Sequence, residues 1–212
     1  MTWAPHGIDE GMAILCARDE MFAHIAVTAG IPRFPLRPEG FGTLLHIILE
    51  QQISIDAAAA MYARLKQHCM PLLPEGFLRL DDDILKRCGF SRQKIAYGRH
   101  LAVAIRDGAF DPAKLKALDD DQALAELMKL KGIGRWTSEV YLLFVLGRSD
   151  VWPAGDLALQ LAIQRFRGLE KRPGDRALRE MAEAWKPWRA VAACLLWQYY
   201  LHALGRLPAA VS

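Results

Sequence analysis

The sequence has little that would tie it to a membrane, a secretory route or a metal. No apolar run among its 212 residues approaches the roughly 20 that a membrane-spanning helix needs. Residues 1–10 show no cationic stretch leading into an apolar segment, so no secretory signal is expected. Cys16, Cys69, Cys88 and Cys194 form no CxxC pair, which argues against a zinc ribbon or a local iron–sulfur loop. We therefore expect an intracellular, soluble protein with buried structural thiols.

Several catalytic signatures are also missing. The chain has no HExxH, no GxSxG, no Walker phosphate loop and no complete GxGxxG, which disfavours the large enzyme classes that depend on them. Its 27 Lys and Arg nearly balance its 24 Asp and Glu, for a net charge of +3. This balance excludes a highly basic nucleic-acid coat or a polybasic tail, but it permits a local basic face.

Apolar residues recur at helical spacing along nearly the whole chain, including one predicted helix from Asp9 to about Thr28. No segment shows the sustained alternation of a strand bounded by hairpin turns, so no sheet is expected. Ser54, Ser91 and Asp156 stand at predicted helix N-termini. We predict an all-α fold of about ten helices in a single compact, two-lobed unit that spans residues 1–212.

The segment Leu127–Gln160 carries the strongest functional signal, and a helical hairpin is predicted at about residues 127–147. Gly132 and Gly134 allow a tight turn, and the N–H groups that open the next helix face outwards at its positive dipole end. Such a turn favours an anion, for example a DNA phosphate. Cations surround it at Lys129, Lys131 and Arg135. Taken alone, the glycines also fit a tight helix–helix turn with no ligand, and Asp156 fits an ordinary N-cap.

The combination of motifs resembles the helix-hairpin-helix DNA glycosylase superfamily, and most closely its alkylation-repair branch, DNA-3-methyladenine glycosylase II. The likeness rests on LKGIGRWT at residues 130–137, followed by a helix and by DVWPAGD at residues 150–156. Three more segments occur in the family's order. They are ILEQQIS at 48–54, GFSRQK at 89–94 and WKPWR at 185–189 with Trp197 beyond it.

This resemblance implies two helical lobes with the active-site cleft between them, and Asp156 as the catalytic carboxylate. Such an enzyme flips an alkylated purine out of the duplex and hydrolyses its N-glycosidic bond, leaving an abasic site. The expected base is 3-methyladenine, with 7-methylguanine as a second candidate. A carboxylate beside C1′ would stabilise the positive charge that develops on the sugar.

The resemblance also implies that Trp136 and Trp197 line the base pocket, because aromatic faces suit a cationic alkylated base. Trp136 occupies the position at which strand-cutting relatives have a Schiff-base lysine. A tryptophan cannot form that adduct, so the implied enzyme is monofunctional and has no lyase activity.

For the DNA contact, the resemblance places Gln52 and Ile53 in the loop that intrudes into the duplex, with Ser54 capping the helix behind them. The alternative is that Gln51 and Gln52 are simply exposed residues at a helix end. The hairpin residues implied in DNA binding are Lys131, Gly132, Gly134, Arg135 and Thr137. The implied partner is double-stranded DNA that contains alkylated bases.

The resemblance further suggests a monovalent cation that bridges the hairpin to phosphate, held by the backbone carbonyls of Met128, Leu130 and Ile133. No cofactor is required by the implied reaction, and no iron–sulfur cluster is expected. A monomer is expected, located in the cytoplasm and associated with the nucleoid if the source is bacterial.

Three positions depart from the family pattern and bear on substrate range. Glu50 stands where relatives commonly have glycine, Val140 where a pocket tyrosine occurs, and Gly155 where an acidic neighbour of the catalytic residue occurs. Two other functions stay open at this stage. One is a non-catalytic helix-hairpin-helix DNA-binding module in which Asp156 is only a cap, and the other is a glycosylase for another lesion.

Overall fold

The computed structural model of the chain describes residues 3–206. In that range it contains twelve α-helices, two short 3-10 helices and one pair of two-residue strands, which confirms the predicted all-α class. None of the described helices is long and apolar enough to cross a membrane. The chain divides into a central unit, Arg37–Tyr141, and a split unit formed by the chain up to Leu36 and from Leu142 onwards.

In chain order the elements begin with β1 (Trp3–Ala4), α1 (Ile8–Arg18), α2 (Glu20–Ala29) and β2 (Phe34–Pro35). The next are α3 (Phe41–Glu50), α4 (Ile55–His68), α5 (Pro74–Arg79), α6 (Asp82–Arg87), α7 (Arg92–Arg106), a 3-10 helix (Pro112–Ala117), α8 (Asp120–Met128) and α9 (Arg135–Phe144). The last are α10 (Leu157–Arg167), α11 (Asp175–Ala182), a second 3-10 helix (Glu183–Trp185) and α12 (Arg189–Ala203).

Two local expectations were wrong. The helix predicted from Asp9 to Thr28 is two helices, because Asp19 takes an extended backbone and its carboxylate accepts the Met21 N–H at 3.0 Å. The apolar spacing continues across this corner and therefore conceals it. A sheet does occur in the form of Trp3–Ala4 paired antiparallel with Phe34–Pro35, and two-residue strands are too short to show an alternating pattern.

The core of the split unit forms around α12, which packs against α1, α2 and α10. Residues 190–196 of α12 are fully buried. Beside them, the Trp185 ring packs edge-on against Phe22 and Trp152, with centroids 5.1 and 5.2 Å apart. The Trp185 Nε1–H donates to the Asp19 carboxylate at 3.3 Å. Asp19 therefore caps α2 and also ties it to this core.

The core of the central unit forms around α3, which lies against α4 and α7. Nearly every side of α3 is apolar and buried, since Leu44, Leu45, Ile47, Ile48 and Leu49 are inaccessible to solvent. At its N-terminal end, the Phe41 ring lies 5.5 Å from the Phe77 ring, which in turn lies 6.1 Å from Phe90. Helix α3 is thus embedded in the apolar core of the central unit.

All four cysteines are free, and Cys69, Cys88 and Cys194 are buried while Cys16 is partly exposed. Burial raises the pKa of the Cys16, Cys88 and Cys194 thiols. Those thiols are therefore held in the neutral, unreactive form, as expected of structural cysteines.

We predict that Asp19→Ala lowers the free energy of unfolding by roughly 1–3 kcal/mol, because it removes an N-cap and the acceptor of the Trp185 indole. Urea unfolding followed by circular dichroism measures the effect. Asp9→Ala is the matched control, since the Asp9 carboxylate is 77% exposed and lies 3.6 Å from Arg33. It should change stability by less than about 0.5 kcal/mol. Equal losses in the two variants would contradict the role given to Asp19.

Candidate active site and hairpin

Two contacts hold the loop before Asp156 against the rest of the split unit. The Arg189 guanidinium forms a two-pronged ion pair with Asp150, with Nε and Nη2 each 2.9 Å from a carboxylate oxygen. Two residues further on, the buried Trp152 indole donates to the Leu178 carbonyl at 3.2 Å. The backbone therefore arrives at Asp156 along a fixed path.

Asp156 is the N-cap of α10 and is half-buried. Its Oδ1 accepts the backbone N–H groups of Ala158 and Leu159 at 2.9 and 3.1 Å. The same oxygen accepts the indole Nε1–H of Trp197 at 3.0 Å. Three donors on one oxygen hold the carboxylate in a single orientation, at the positive end of the helix dipole. The N-cap expected from the sequence is therefore present, together with a bond to a side chain 41 positions away.

Trp197 belongs to a cluster of three aromatic rings in the split unit. It stacks on Phe144 at 5.3 Å between centroids and meets Phe34 edge-on at 6.4 Å. The Phe34 and Phe144 rings are themselves 5.8 Å apart. Sequence reasoning missed both phenylalanines, because Phe34 lies within a proline-rich connection and Phe144 ends an ordinary apolar helix. The cluster brings aromatic surface to the same place as the Asp156 carboxylate.

The turn of the predicted hairpin lies in the central unit, between α8 and α9. Gly132 has a φ of +86°, and a Cβ there would fall within the Tyr97 ring, so the turn itself requires glycine. A Cβ on Gly134 would meet nothing within 4 Å, and its backbone is not left-handed. Leu130 and Ile133 bury their side chains and close the turn through an Ile133 N–H to Leu130 carbonyl bond of 3.0 Å. The fold therefore requires a glycine at position 132 but not at position 134.

The polar side chains of the hairpin divide into exposed and internal groups. Lys131 and Arg135 are exposed, and the Arg135 Nε lies 3.0 Å from the carboxylate of Glu139, whose side chain is only 3% exposed. Thr137, which the resemblance implied in DNA binding, is buried. Its hydroxyl accepts the side-chain amide of Gln51 at 2.9 Å. The Thr137 side chain is thus an internal acceptor and does not lie on the surface.

The turn between α3 and α4 projects two exposed side chains. Gln52 has a φ of 60°, in the left-handed region that residues with a side chain rarely adopt. Ile53 next to it is 39% exposed. Ser54 then caps α4 as predicted, its Oγ accepting the Ala57 N–H at 3.2 Å. We call Gln52 and Ile53 the projecting pair.

Glu50, an acid at a position where a glycine was expected, turns inward. Its side chain is 9% exposed and lies 2.9 Å from the Arg37 guanidinium. The charge of Glu50 is therefore compensated inside the central unit and is not presented beside the projecting pair. Of the other two departures, Val140 is buried and Gly155 is exposed.

Each unit, taken by itself, brings predicted site residues together from distant positions in the sequence. The split unit brings Asp156 and Trp197 together. The central unit brings the projecting pair and the hairpin together through Gln51, which sequence reasoning had not assigned a role. Trp136 is a half-buried side chain on the first turn of α9.

Comparison with protein families places most of the chain in one superfamily. The family model of the HhH-GPD superfamily of base excision DNA repair proteins matches residues 45–189. The chain belongs to this superfamily. The matched range includes the end of α3 with the projecting pair, the hairpin and Asp156.

Individual relatives agree with the family assignment. The chain is 33% identical over 167 residues to DNA-3-methyladenine glycosylase 1 of Schizosaccharomyces pombe, covering 76% of this chain and 73% of the relative. Among solved structures, the S. pombe 3-methyladenine DNA glycosylase in complex with abasic DNA aligns with a TM-score of 0.84 and 29% identity, over 89% of this chain and 95% of that one. A DNA-3-methyladenine glycosidase from Bacillus halodurans aligns with a TM-score of 0.77 and 31% identity, over 97% and 95% of the two chains.

The contrast between the two hairpin glycines gives a stability test. We predict that Gly132→Ala lowers the free energy of unfolding by more than about 1 kcal/mol, because it strains a left-handed residue and forces Tyr97 to move. Gly134→Ala, in open space, should leave stability within about 0.5 kcal/mol of the parent. Thermal unfolding of the two variants side by side is the measurement. A loss in Gly134→Ala as large as that in Gly132→Ala would show that the fold needs both glycines.

Proposed function

We propose that the protein is a monofunctional DNA glycosylase of base-excision repair that removes alkylated purines, chiefly 3-methyladenine, and leaves an abasic site. The observation that carries this proposal is that three N–H donors, one of them the Trp197 indole, orient the Asp156 carboxylate. The chain that holds this carboxylate belongs to the HhH-GPD superfamily. The names of the S. pombe and B. halodurans relatives support the choice of an alkylated purine as substrate.

The chemistry follows from the state of the damaged nucleotide. Alkylation of a ring nitrogen makes the base cationic while it is attached to the sugar, so cleavage of the glycosidic bond releases a neutral base and moves positive charge to C1′. The Asp156 carboxylate stabilises that charge, and because it is already oriented it needs no reorganisation during the reaction. Water then adds to C1′ and loses a proton, which gives the abasic sugar.

The base pocket is assigned to aromatic side chains. A flipped, cationic purine is attracted to an aromatic face by stacking and by cation–π interaction, which together contribute on the order of 1–3 kcal/mol. Trp197 offers such a face in the split unit, and Trp136 offers one in the central unit. The indole N–H of Trp197 is engaged by Asp156, so its ring orientation is coupled to that of the carboxylate.

Double-stranded DNA is held through its backbone. The exposed Lys131, Gly134 and Arg135 bind phosphate, and the absence of a side chain at Gly134 lets the strand approach the N–H groups at the start of α9. Gly132 and Thr137 support the turn from inside. The projecting pair enters the duplex where the damaged base leaves it. The protein acts as a monomer on chromosomal DNA in the cytoplasm, and at the nucleoid if the source is bacterial.

We propose a monovalent cation at the hairpin, as the family resemblance implies. Of the three carbonyls that would hold it, at Met128, Leu130 and Ile133, the Leu130 oxygen already accepts the Ile133 N–H at 3.0 Å. A carbonyl oxygen has two lone pairs, so it can still bind an ion. When bound, the ion would add positive charge next to a DNA phosphate.

The first functional prediction concerns the carboxylate. Asp156→Asn should reduce release of 3-methyladenine from methylated duplex DNA to background, because an amide carries no charge to stabilise C1′. Binding to the same DNA should be unchanged or tighter, and the fold should persist because asparagine is an equally good N-cap. Chromatography of the released base and a check for strand nicks before alkali give both readouts, and no nicks are expected.

Asp119→Asn is the matched control, because Asp119 is likewise an N-cap carboxylate, at the start of α8. It should release the base at the parental rate. Release by Asp156→Asn at that same rate would overturn the catalytic assignment. DNA binding without base release by the parent protein would favour the non-catalytic DNA-binding module.

The second functional prediction concerns the pocket. Trp136→Ala should lower the single-turnover rate of base release by about tenfold or more, as expected for the loss of roughly 1.4 kcal/mol of stacking in the transition state. Trp136→Phe keeps an aromatic face and should recover most of that rate. If Trp136→Ala retains the parental rate, the base is held by other side chains.

A further inference from the structure

Gln51 links two parts of the central unit that are distant in sequence. It is the C-cap residue of α3 and directly precedes the projecting pair. Its side-chain Nε2 donates to the Gly132 carbonyl and to the Thr137 hydroxyl, both at 2.9 Å. One amide therefore connects the turn after α3 with the hairpin turn and with the first turn of α9.

Other contacts hold the end of α3 but do not reach the hairpin. The Lys94 ammonium donates to the Leu49 carbonyl at 2.6 Å, and Arg37 pairs with Glu50. These contacts fix the last turn of the helix to α7 and to the segment before α3. The Gln51 amide differs in its partners, because one of its two acceptors lies in the hairpin turn and the other lies on α9.

The residue that follows Gln51 is the one that needs support. Gln52 lies in the left-handed region, which costs on the order of 1 kcal/mol for a residue with a side chain and persists only where the surroundings impose it. Gln51 is the last residue before that strained position, and its two hydrogen bonds set the direction in which the chain leaves α3. Without them, Gln52 and Ile53 would be free to relax towards the helix surface.

We infer that Gln51 is a positioning residue for base opening. Its side chain holds the projecting pair against the phosphate-binding hairpin, so that both reach the duplex together when the protein binds DNA. Gln51 does not touch the base or the sugar, and it acts through Gln52 and Ile53. This inference rests on the proposed glycosylase function and deepens it, because it names how the unstacking step is mechanically coupled to backbone binding.

A positioning role and a general structural role have different consequences. Support of the projecting pair by Gln51 matters only when the damaged base is paired and must be pushed out of the base stack. A lesion that is already unpaired should no longer depend on it. A merely structural residue would affect stability and the processing of paired and unpaired lesions alike.

The test uses Gln51→Glu, which keeps the size of the side chain but replaces the donor with a carboxylate that faces two oxygens. Thr137→Val is a second variant that removes one acceptor at constant volume, and Thr137→Ser should restore it. Gln164→Glu is the matched control. Gln164 is also half-buried and its amide also donates to two acceptors, the carbonyls of Leu169 and Glu170, but it lies on α10.

The first readout is independent of base release. A duplex carries 2-aminopurine beside 3-deaza-3-methyladenine, an analogue of the lesion that pairs opposite thymine and is not released, and the 2-aminopurine fluorescence reports unstacking when saturating protein binds. The parent and Gln164→Glu should raise the fluorescence, whereas Gln51→Glu and Thr137→Val should give less than about half of that rise at full binding. An equal rise with Gln51→Glu, or no rise with the parent, overturns the inference.

The second readout is single-turnover release of 3-methyladenine placed either opposite thymine or in a single-nucleotide bulge. Gln51→Glu should slow release from the paired site by about tenfold, equivalent to roughly 1.4 kcal/mol, and from the bulge by less than about twofold. Equal slowing at both sites overturns the inference in favour of a structural role. Absence of release by the parent from both substrates, with the fluorescence difference intact, defeats the proposed function but leaves the bracing role of Gln51 supported.

Discussion

The hydrogen bonding of a single oxygen, Oδ1 of Asp156, organises the split unit around its functional residue. Two backbone N–H groups of α10 and the Trp197 indole converge on it, so the carboxylate begins one helix and is bonded to another. An N-cap is ordinarily a device of local stability. Here the same geometry gives a charge with a fixed position and direction, which is the property that stabilisation of a developing cation requires.

The rest of the split unit can be understood as support for that oxygen. The loop before it is held by the Asp150–Arg189 ion pair and the Trp152 indole, and α12 supplies Arg189 from the same helix that carries Trp197. The buried run at residues 190–196 explains why α12 can do this, because a helix packed on several sides has little freedom to rotate. Displacement of α12 would move both the partner of the carboxylate and the anchor of its loop.

The central unit holds the exposed and strained turn between α3 and α4 in place. A projecting pair with one left-handed residue would be mobile on an unsupported loop. It follows a helix whose apolar faces are buried and whose last turn is tied by Lys94, by Arg37 and by the Gln51 amide. The inward orientation of Glu50 belongs to the same arrangement, since its half-buried ion pair with Arg37 turns an acid away from a surface proposed to meet phosphates. In the hairpin, Gly132 allows the left-handed backbone of the turn, while Gly134 leaves open space at the surface. The two glycines of one motif are therefore present for different physical reasons.

Much of this architecture is local and was therefore predictable from the amino-acid sequence. Helical spacing, the capping serines at 54 and 91, the cap at Asp156 and the hairpin glycines depend on neighbours within a few positions, and the all-α class and the family likeness followed from them. The corner at Asp19 did not follow, because apolar helical spacing continues across it and the indole that fixes it is 166 positions away. Nor did the Trp197 bond to Asp156, the phenylalanines around it, the Gln51 link or the burial of Thr137. These depend on which distant side chains the packed core brings within hydrogen-bonding distance, and only the tertiary structure decides that.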